Sequence, residues 1–256
     1  MPSEIKKRKP NRIYLIDELR GLAVIAMVLY HTIYSMTFIF NLEFSYPIMR
    51  AILPYQPIIP IVFITLCGIS CSFSRSNLKR GLILLAISIA VTLVTALILP
   101  SEIIIFGILH FLSAALILYA ILQKAINKVP VTLGIIISLI LFAIAYNIPK
   151  GYIGLEPFAC FRLPQWLYNF YPLFIVGLPS NDFYSADYFP IIPYIFLFLF
   201  GTFLGKLITT REFPKWMSKK ICPPLDFIGK HALVIYILHQ PVIIGILYVI
   251  TTIITM

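Results

Sequence analysis

The sequence predicts an all-α protein: a polytopic membrane helix bundle of about seven transmembrane helices, with a cytoplasmic N-terminus and an external C-terminus. Hydrophobic residues make up 60% of the 256 residues and charged residues only 12%, whereas a soluble domain is usually about 25% charged. Seven apolar runs approach the roughly 20 residues that a bilayer crossing needs. When these runs alternate in direction, 17 of the 20 Lys and Arg residues fall on the side of the N-terminus, as the positive-inside rule requires.

The runs are expected to form one transmembrane domain over residues 1–256. They lie at about 15–37, 52–73, 81–99, 103–122, 131–148, 188–209 and 232–254. No small-residue cleavage pattern closes the first run, so we expect a retained helix rather than a signal peptide. Residues 149–187 are predicted to be an external loop. Within it, the Pro-flanked apolar stretch 166–179 is too short to cross and is predicted to be re-entrant or interfacial.

The net charge of +10 is spread over short loops between apolar runs. This distribution argues against a nucleic-acid partner and indicates a multi-pass protein of the cell membrane, with membrane lipid as its surroundings. The four cysteines, Cys67, Cys71, Cys160 and Cys222, show no metal-ligand spacing, and we expect no metal. The sequence leaves the oligomeric state open, with a homodimer among the options.

The first run, RIYLIDELRGLAVIAMVLYH at residues 12–31, begins with charges and contains a histidine. At 100° per residue, Asp17, Arg20, His31 and Ser35 share one helix face, with His31 about 16 Å beyond Arg20. A polar face of this kind must contact protein or water rather than lipid. Alternatively, Asp17 and Glu18 cap the helix start, Arg20 snorkels, and His31 bonds to a neighbouring helix.

Three further ionisable residues lie in or beside predicted spans, where such groups by default indicate function. His110 in EIIIFGILHFLSAAL has a predicted depth similar to that of His31, so the two could share a proton relay. His239 precedes Gln240 and Pro241, where a kinked helix frees backbone carbonyls. Each histidine alternatively donates to a backbone carbonyl. Asp187 in SADYFPIIPY could orient a histidine or bind a sugar hydroxyl, or cap the sixth span.

Several segments in one order resemble a known family. They are RIYLIDELRGLAVIAMVLYH, FITLCGISCSFSRSNLKRG, FGILHFLSAALIL, DYFPIIPYIFLFLFGTFLGK and LDFIGKHALVIYILHQPVI. Together they resemble the prokaryotic relatives of the heparan-α-glucosaminide N-acetyltransferase catalytic domain, over nearly the whole chain. The most specific parts are the opening D-x-x-R-G and the closing I-G-K-H-A…Y-I-L-H-Q-P.

The resemblance implies an integral membrane acetyltransferase that moves an acetyl group from cytoplasmic acetyl-CoA to an external saccharide acceptor. Asp17 and Arg20 fall in the D-x-x-R-G motif. We expect Arg20, Lys79 and Arg80 to bind the donor's phosphates, with the pantetheine arm running along the polar face toward His31. His31 would be the general base or transient acetyl carrier, while His110, Asp187 or His239 orients it or relays the proton.

The chain departs from the animal enzymes of this family at one point. Those enzymes have asparagine at the position of His31 and take their catalytic histidine from the loop after the first span, whereas residues 38–50 here contain no histidine. The assignment of His31 is therefore our own. A proton-coupled transporter or flippase-like protein is the rival interpretation, since intramembrane histidines and broken helices suit it too. A non-catalytic scaffold is a third, against which the polar face argues.

Overall fold

The computed structural model describes residues 13–155, 158–210 and 214–255. Six basic residues that entered the charge count lie outside the described residues: Lys6, Lys7, Arg8, Lys9, Arg12 and Arg211. Membrane orientation therefore stays a prediction.

The described residues form nine α-helices and one two-stranded antiparallel hairpin. The helices are α1 (Tyr14–Tyr34), α2 (Ser45–Ile52), α3 (Ile58–Ser70), α4 (Asn77–Ile98), α5 (Ile108–Ile126), α6 (Val131–Ala145), α7 (Ile191–Thr210), α8 (Pro223–Lys230) and α9 (Ala232–Thr255). The strands are β1 (Tyr152–Leu155) and β2 (Ala159–Arg162), with Tyr152 opposite Arg162.

Six helical segments of the described chain are long and apolar enough to cross a membrane. A seventh is obtained when Ser45–Tyr55 and Ile58–Phe73 are counted as one broken span. The predicted fold class, a multi-pass helix bundle with about seven spans, is confirmed. The predicted second span is interrupted because Gln56 and Pro57 separate its two parts, and a proline has no N–H to continue a helix.

The predicted fourth span begins later than its hydropathy indicates. Residues 103–107 are apolar but not helical, and α5 begins at Ile108. Here the backbone pairs with a distant segment instead: the Ala186 N–H donates to the Ile103 carbonyl and the Phe189 N–H to the Phe106 carbonyl. Hydropathy alone cannot distinguish such an apolar extended segment from the first turn of a helix.

The chain divides into two compact units, one containing residues 1–59 and 212–256 and the other residues 60–211. In the first unit, α1 packs along α8 and also contacts α9. Two glycines allow the close approach of α1 and α8. A Cβ on Gly21 would collide with the Leu225 carbonyl oxygen, and one on Gly229 with the Asp17 carbonyl oxygen.

The second unit is built from the helix pairs α4–α5 and α6–α7. Residues from Pro60 onward in α3 pack closely on α7 at small residues, as is common between membrane helices. A Cβ on Gly201 would collide with the Thr65 carbonyl oxygen, and one on Gly68 with the Phe198 carbonyl oxygen. The loop after α6 holds the β-hairpin and two 3-10 turns, Gln165–Tyr168 and Tyr171–Ile175, each too short to cross a bilayer.

Candidate functional site

Two of the predicted site histidines lie side by side in the first unit. The imidazole rings of His31, near the end of α1, and His239, in α9, have centroids 5.0 Å apart. Both side chains are half-buried. Both are predicted site residues: His31 was paired with His110 by depth, and His239 was one of three residues expected to orient His31 or relay its proton.

The hydrogen bonding of His239 fixes its tautomer. Its Nδ1 lies 2.5 Å from the Tyr236 carbonyl oxygen, and a carbonyl can only accept, so Nδ1 carries the proton. The other ring nitrogen, Nε2, is buried and has no hydrogen-bond partner among the described residues. His239 therefore presents a bare imine nitrogen, the form in which an imidazole accepts a proton from a reacting group.

A serine and a glutamine extend this polar cluster. The Gln240 side-chain amide donates to the Ser35 hydroxyl at 3.1 Å, and Ser35 is fully buried. Ser35 begins a π-helical segment, Ser35–Ile39, that continues α1; such segments are frequent at functional sites. The Gln240 side-chain oxygen, Oε1, is buried without a partner in the described chain. His31, Ser35, His239 and Gln240, hereafter the histidine cluster, combine two imidazoles with an unpaired acceptor.

The charged start of α1 contains an ion pair and a buried carboxylate. Arg20 Nη1 contacts Asp17 Oδ1 at 2.9 Å, and both side chains are largely buried. Glu18 Oε1 accepts the backbone N–H groups of Ile221 at 2.7 Å and Cys222 at 2.8 Å. Neither carboxylate caps α1, whose N-cap is Ile13. Asp17 lies in the first turn of α1, whereas Glu18 reaches across to the segment before α8, so the predicted alternative of a capping role is wrong for Glu18.

His110, in the second unit, also has one ring nitrogen that carries no proton. The Thr92 hydroxyl donates to the Ile104 carbonyl at 2.6 Å and lies 3.2 Å from His110 Nε2. A hydroxyl has one proton, so Nε2–H is the donor to Thr92. His110 Nδ1 is then the unprotonated nitrogen, and it is buried with no partner in the part of the chain that the structure describes.

Asp187 lies beside the first turn of the helix that carries His110. Its Oδ2 accepts the Ile108 N–H at 2.9 Å, and a Cβ on Gly107 would collide with that oxygen. Asp187 precedes α7 in the chain, yet it satisfies a free N–H at the start of α5. The sequence offered Asp187 as an alternative N-cap for the sixth predicted span. In the structure Asp187 instead caps α5, the helix of the fourth predicted span.

The other two predicted donor-binding residues lie at the start of α4 in the second unit. Ser76 caps this helix by accepting the Lys79 N–H at 3.2 Å, and the Lys79 side chain is exposed. Arg80 Nη1 lies 3.4 Å from Asn77 Oδ1. Among the described residues, neither cation forms an ion pair with a carboxylate.

Sequence reasoning missed Asp226, a buried carboxylate in α8. Its Oδ2 contacts Lys230 Nζ at 2.6 Å and Lys220 Nζ at 3.0 Å. The hydrogen bond from Lys230, with that from Lys220, holds the pKa of the Asp226 carboxyl below its usual value, although burial opposes the shift. The four-residue spacing of Asp226 and Lys230 was the available signal. No group of three or more His, Cys, Asp or Glu side chains in the described ranges could hold a metal ion.

One comparison with known proteins finds a family. A model of the family described as "Heparan-alpha-glucosaminide N-acetyltransferase, catalytic" matches residues 12–241, which include every predicted site residue. Searches of curated proteins and of solved structures return no match. The family indicates a membrane acetyltransferase, as the resemblance implied. On this match over most of its length, the chain belongs to the heparan-α-glucosaminide N-acetyltransferase catalytic-domain family.

Proposed function

We propose that the chain is an acetyltransferase of the cell membrane that takes an acetyl group from cytoplasmic acetyl-CoA and transfers it to an external glycan or amino-sugar acceptor. Family membership supports the reaction class. The single observation that carries the assignment of the site is the unpaired Nε2 of His239 beside the His31 ring. An imidazole with a bare, buried imine nitrogen next to a second imidazole suits general base chemistry.

The proposed step conserves atoms and protons. An acceptor amine or hydroxyl attacks the thioester carbonyl of acetyl-CoA, and an imidazole of the histidine cluster takes the acceptor's proton. The C–S bond then breaks, and the same imidazolium returns the proton to the thiolate, so the products are the acetylated acceptor and CoA. Either imidazole of the pair can carry this proton: His239 is oriented by its bond to the Tyr236 carbonyl, and His31 lies on the face of α1 that leads to Arg20.

Arg20 is proposed to contact the phosphates of the donor at the cytoplasmic end of α1. Asp17 fixes its guanidinium, which suits phosphate through its fork of donors. The rise from Arg20 to His31 is about 16 Å along the helix, comparable with an extended pantetheine arm. Lys79 and Arg80, at the start of α4 in the second unit, are proposed to bind phosphate.

His110 and Asp187 are proposed to form a proton-transfer group within the second unit. His110 keeps an unprotonated Nδ1 in a buried position, so it can accept a proton in a relay. Asp187 would act through its hold on the first turn of α5, which makes it a positioning residue for His110.

The test is acetyl transfer by the purified full-length protein, reconstituted in vesicles with labelled acetyl-CoA and an amino-sugar acceptor. We expect His31→Ala and His239→Ala each to lower the transfer rate by about 100- to 10,000-fold, the range of general acid–base contributions. Binding of acetyl-CoA should persist in both. His231→Ala is the matched control, because His231 is exposed at the end of α8 and its Nδ1 donates to the Phe227 carbonyl.

Two results would overturn the proposal. Undiminished transfer by His31→Ala and His239→Ala would remove the histidine cluster from the chemistry. Solute flux through the vesicles without acetyl-CoA, together with no saturable binding of CoA compounds, would instead establish the transporter interpretation.

A further inference from the structure

Asp226 holds two lysine ammonium groups next to each other on one carboxylate oxygen. Lys230 Nζ lies 2.6 Å and Lys220 Nζ 3.0 Å from Oδ2, so the two nitrogens are at most 5.6 Å apart, the sum of these distances. The carboxylate is buried, while the lysine side chains keep 42% (Lys220) and 32% (Lys230) of their surface exposed. The two ammonium groups thus share one buried carboxylate oxygen and remain partly exposed.

Among the described residues, the positive charges of this lysine pair are only half balanced. Asp226 supplies one negative charge for two positive ones. The nearby acidic residues of α1 are engaged elsewhere, since Asp17 pairs with Arg20 and Glu18 accepts two backbone N–H groups. Two ammonium groups held this close favour a second anion with several acceptor oxygens, because it contacts both at once.

Exposed apolar side chains lie close to the two lysines in the sequence. Trp216 is 51% exposed, Ile221 65% and Phe227 63%. The segment lies in the chain between two membrane-crossing helices, α7 and α9, so it is at a membrane surface. A tryptophan, a phenylalanine and lysines on one short segment are the composition of an interfacial membrane contact.

We infer that Lys220 and Lys230, positioned by Asp226, bind the phosphate of an anionic phospholipid headgroup, with Trp216, Ile221 and Phe227 in contact with the acyl-chain boundary. A phosphodiester presents two unesterified oxygens, which the two ammonium groups contact simultaneously. The exposed apolar residues favour a lipid over a water-soluble phosphate, because a soluble ligand would leave them without a hydrophobic partner. The site does not depend on the acetyl-transfer chemistry.

The experiment measures lipid retention by the intact, full-length protein in detergent micelles, with native mass spectrometry. The protein is titrated with phosphatidylglycerol and, separately, with phosphatidylcholine. Lys220→Gln and Lys230→Gln should each weaken phosphatidylglycerol binding about fivefold, the usual effect of one lysine at an anionic surface. The glutamine keeps a donor for Asp226, so folding is preserved. Lys219→Gln is the matched control, a neighbouring exposed lysine outside the pair, and should leave binding unchanged.

Three outcomes would refute the inference. Equal binding of phosphatidylglycerol and phosphatidylcholine would mean that no headgroup charge is recognised. An equal loss in the Lys219 variant would indicate a diffuse positive surface rather than a site. Displacement of phosphatidylglycerol by acetyl-CoA, with a raised KM for acetyl-CoA in the Lys220 and Lys230 variants, would assign the pair to the acetyl donor. Because retention is measured without donor or acceptor, failure of the acetyltransferase proposal leaves this result unaffected.

Discussion

Replacing Glu18 tests whether the charged opening of α1 anchors the segment before α8. Glu18 is only 5% exposed, and one of its oxygens accepts two backbone N–H groups, from Ile221 and Cys222. A hydrogen bond to a charged group contributes about 1.5 kcal/mol or more, so Glu18→Ala should lower the free energy of unfolding by about 3 kcal/mol. This corresponds to a change on the order of 100-fold in the unfolding equilibrium.

A matched pair of variants separates the hydrogen bonds from the charge. Glu18→Gln keeps an acceptor oxygen and loses only the ionic contribution, so we expect a loss of about 1 kcal/mol. Glu43→Ala removes an exposed carboxylate from the same unit and should change stability by less than about 0.5 kcal/mol.

The assay is reversible unfolding of the purified protein in mixed micelles, followed by circular dichroism as a denaturing detergent is added. The reasoning fails if Glu18→Ala is no less stable than Glu43→Ala. It also fails if Glu18→Gln loses as much as Glu18→Ala, since the acceptor oxygen would then contribute nothing.

Two other substitutions probe the same unit. Gly229→Ala places a methyl group against the Asp17 carbonyl oxygen and should lower the free energy of unfolding by about 2 kcal/mol. Gly245→Ala, which has open space around it, should be near neutral in the same unfolding assay. Equal effects of the two substitutions would contradict the packing argument. Asp226→Asn should lower the thermal unfolding midpoint at pH 7, and the difference between the midpoints of variant and wild type should shrink as pH falls below about 4. The reason is that a carboxyl whose pKa is lowered in the folded protein stabilises it above the unfolded pKa and loses that contribution in acid. A pH-independent difference would assign the effect to packing instead.

Periodicity and charge predicted the helices well because a bilayer imposes length and composition on each segment separately. Departures occur where the backbone is satisfied by something other than its own helix. The segment before α5 is apolar like a span, yet it pairs with residues 186–189. Pro57 interrupts the second span, although the hydropathy continues across it.

The sequence alone does not establish which residues far apart in the chain contact each other. The polar face of α1 was evident from its spacing, but the contact between His31 and His239 joins residues from opposite ends of the chain. Likewise, Glu18 was interpreted by its position in a helix, whereas its contacts are set by packing against α8. The contacts of Glu18 accompany the tight approach of α1 and α8 at Gly21 and Gly229, and a single sequence does not report which helices are neighbours.

The pairing of α1 with α8 also sets an order for biosynthesis. Glu18 and Cys222, which share a hydrogen bond, are 204 residues apart. At about 5 to 20 residues per second, the ribosome needs roughly 10 to 40 seconds to produce the second partner after the first. The contiguous unit of residues 60–211 is fully synthesised within that interval. During this time α1 waits in the bilayer with Glu18 not yet bound to the Ile221 and Cys222 N–H groups, a state in which chaperones and membrane proteases encounter the nascent chain.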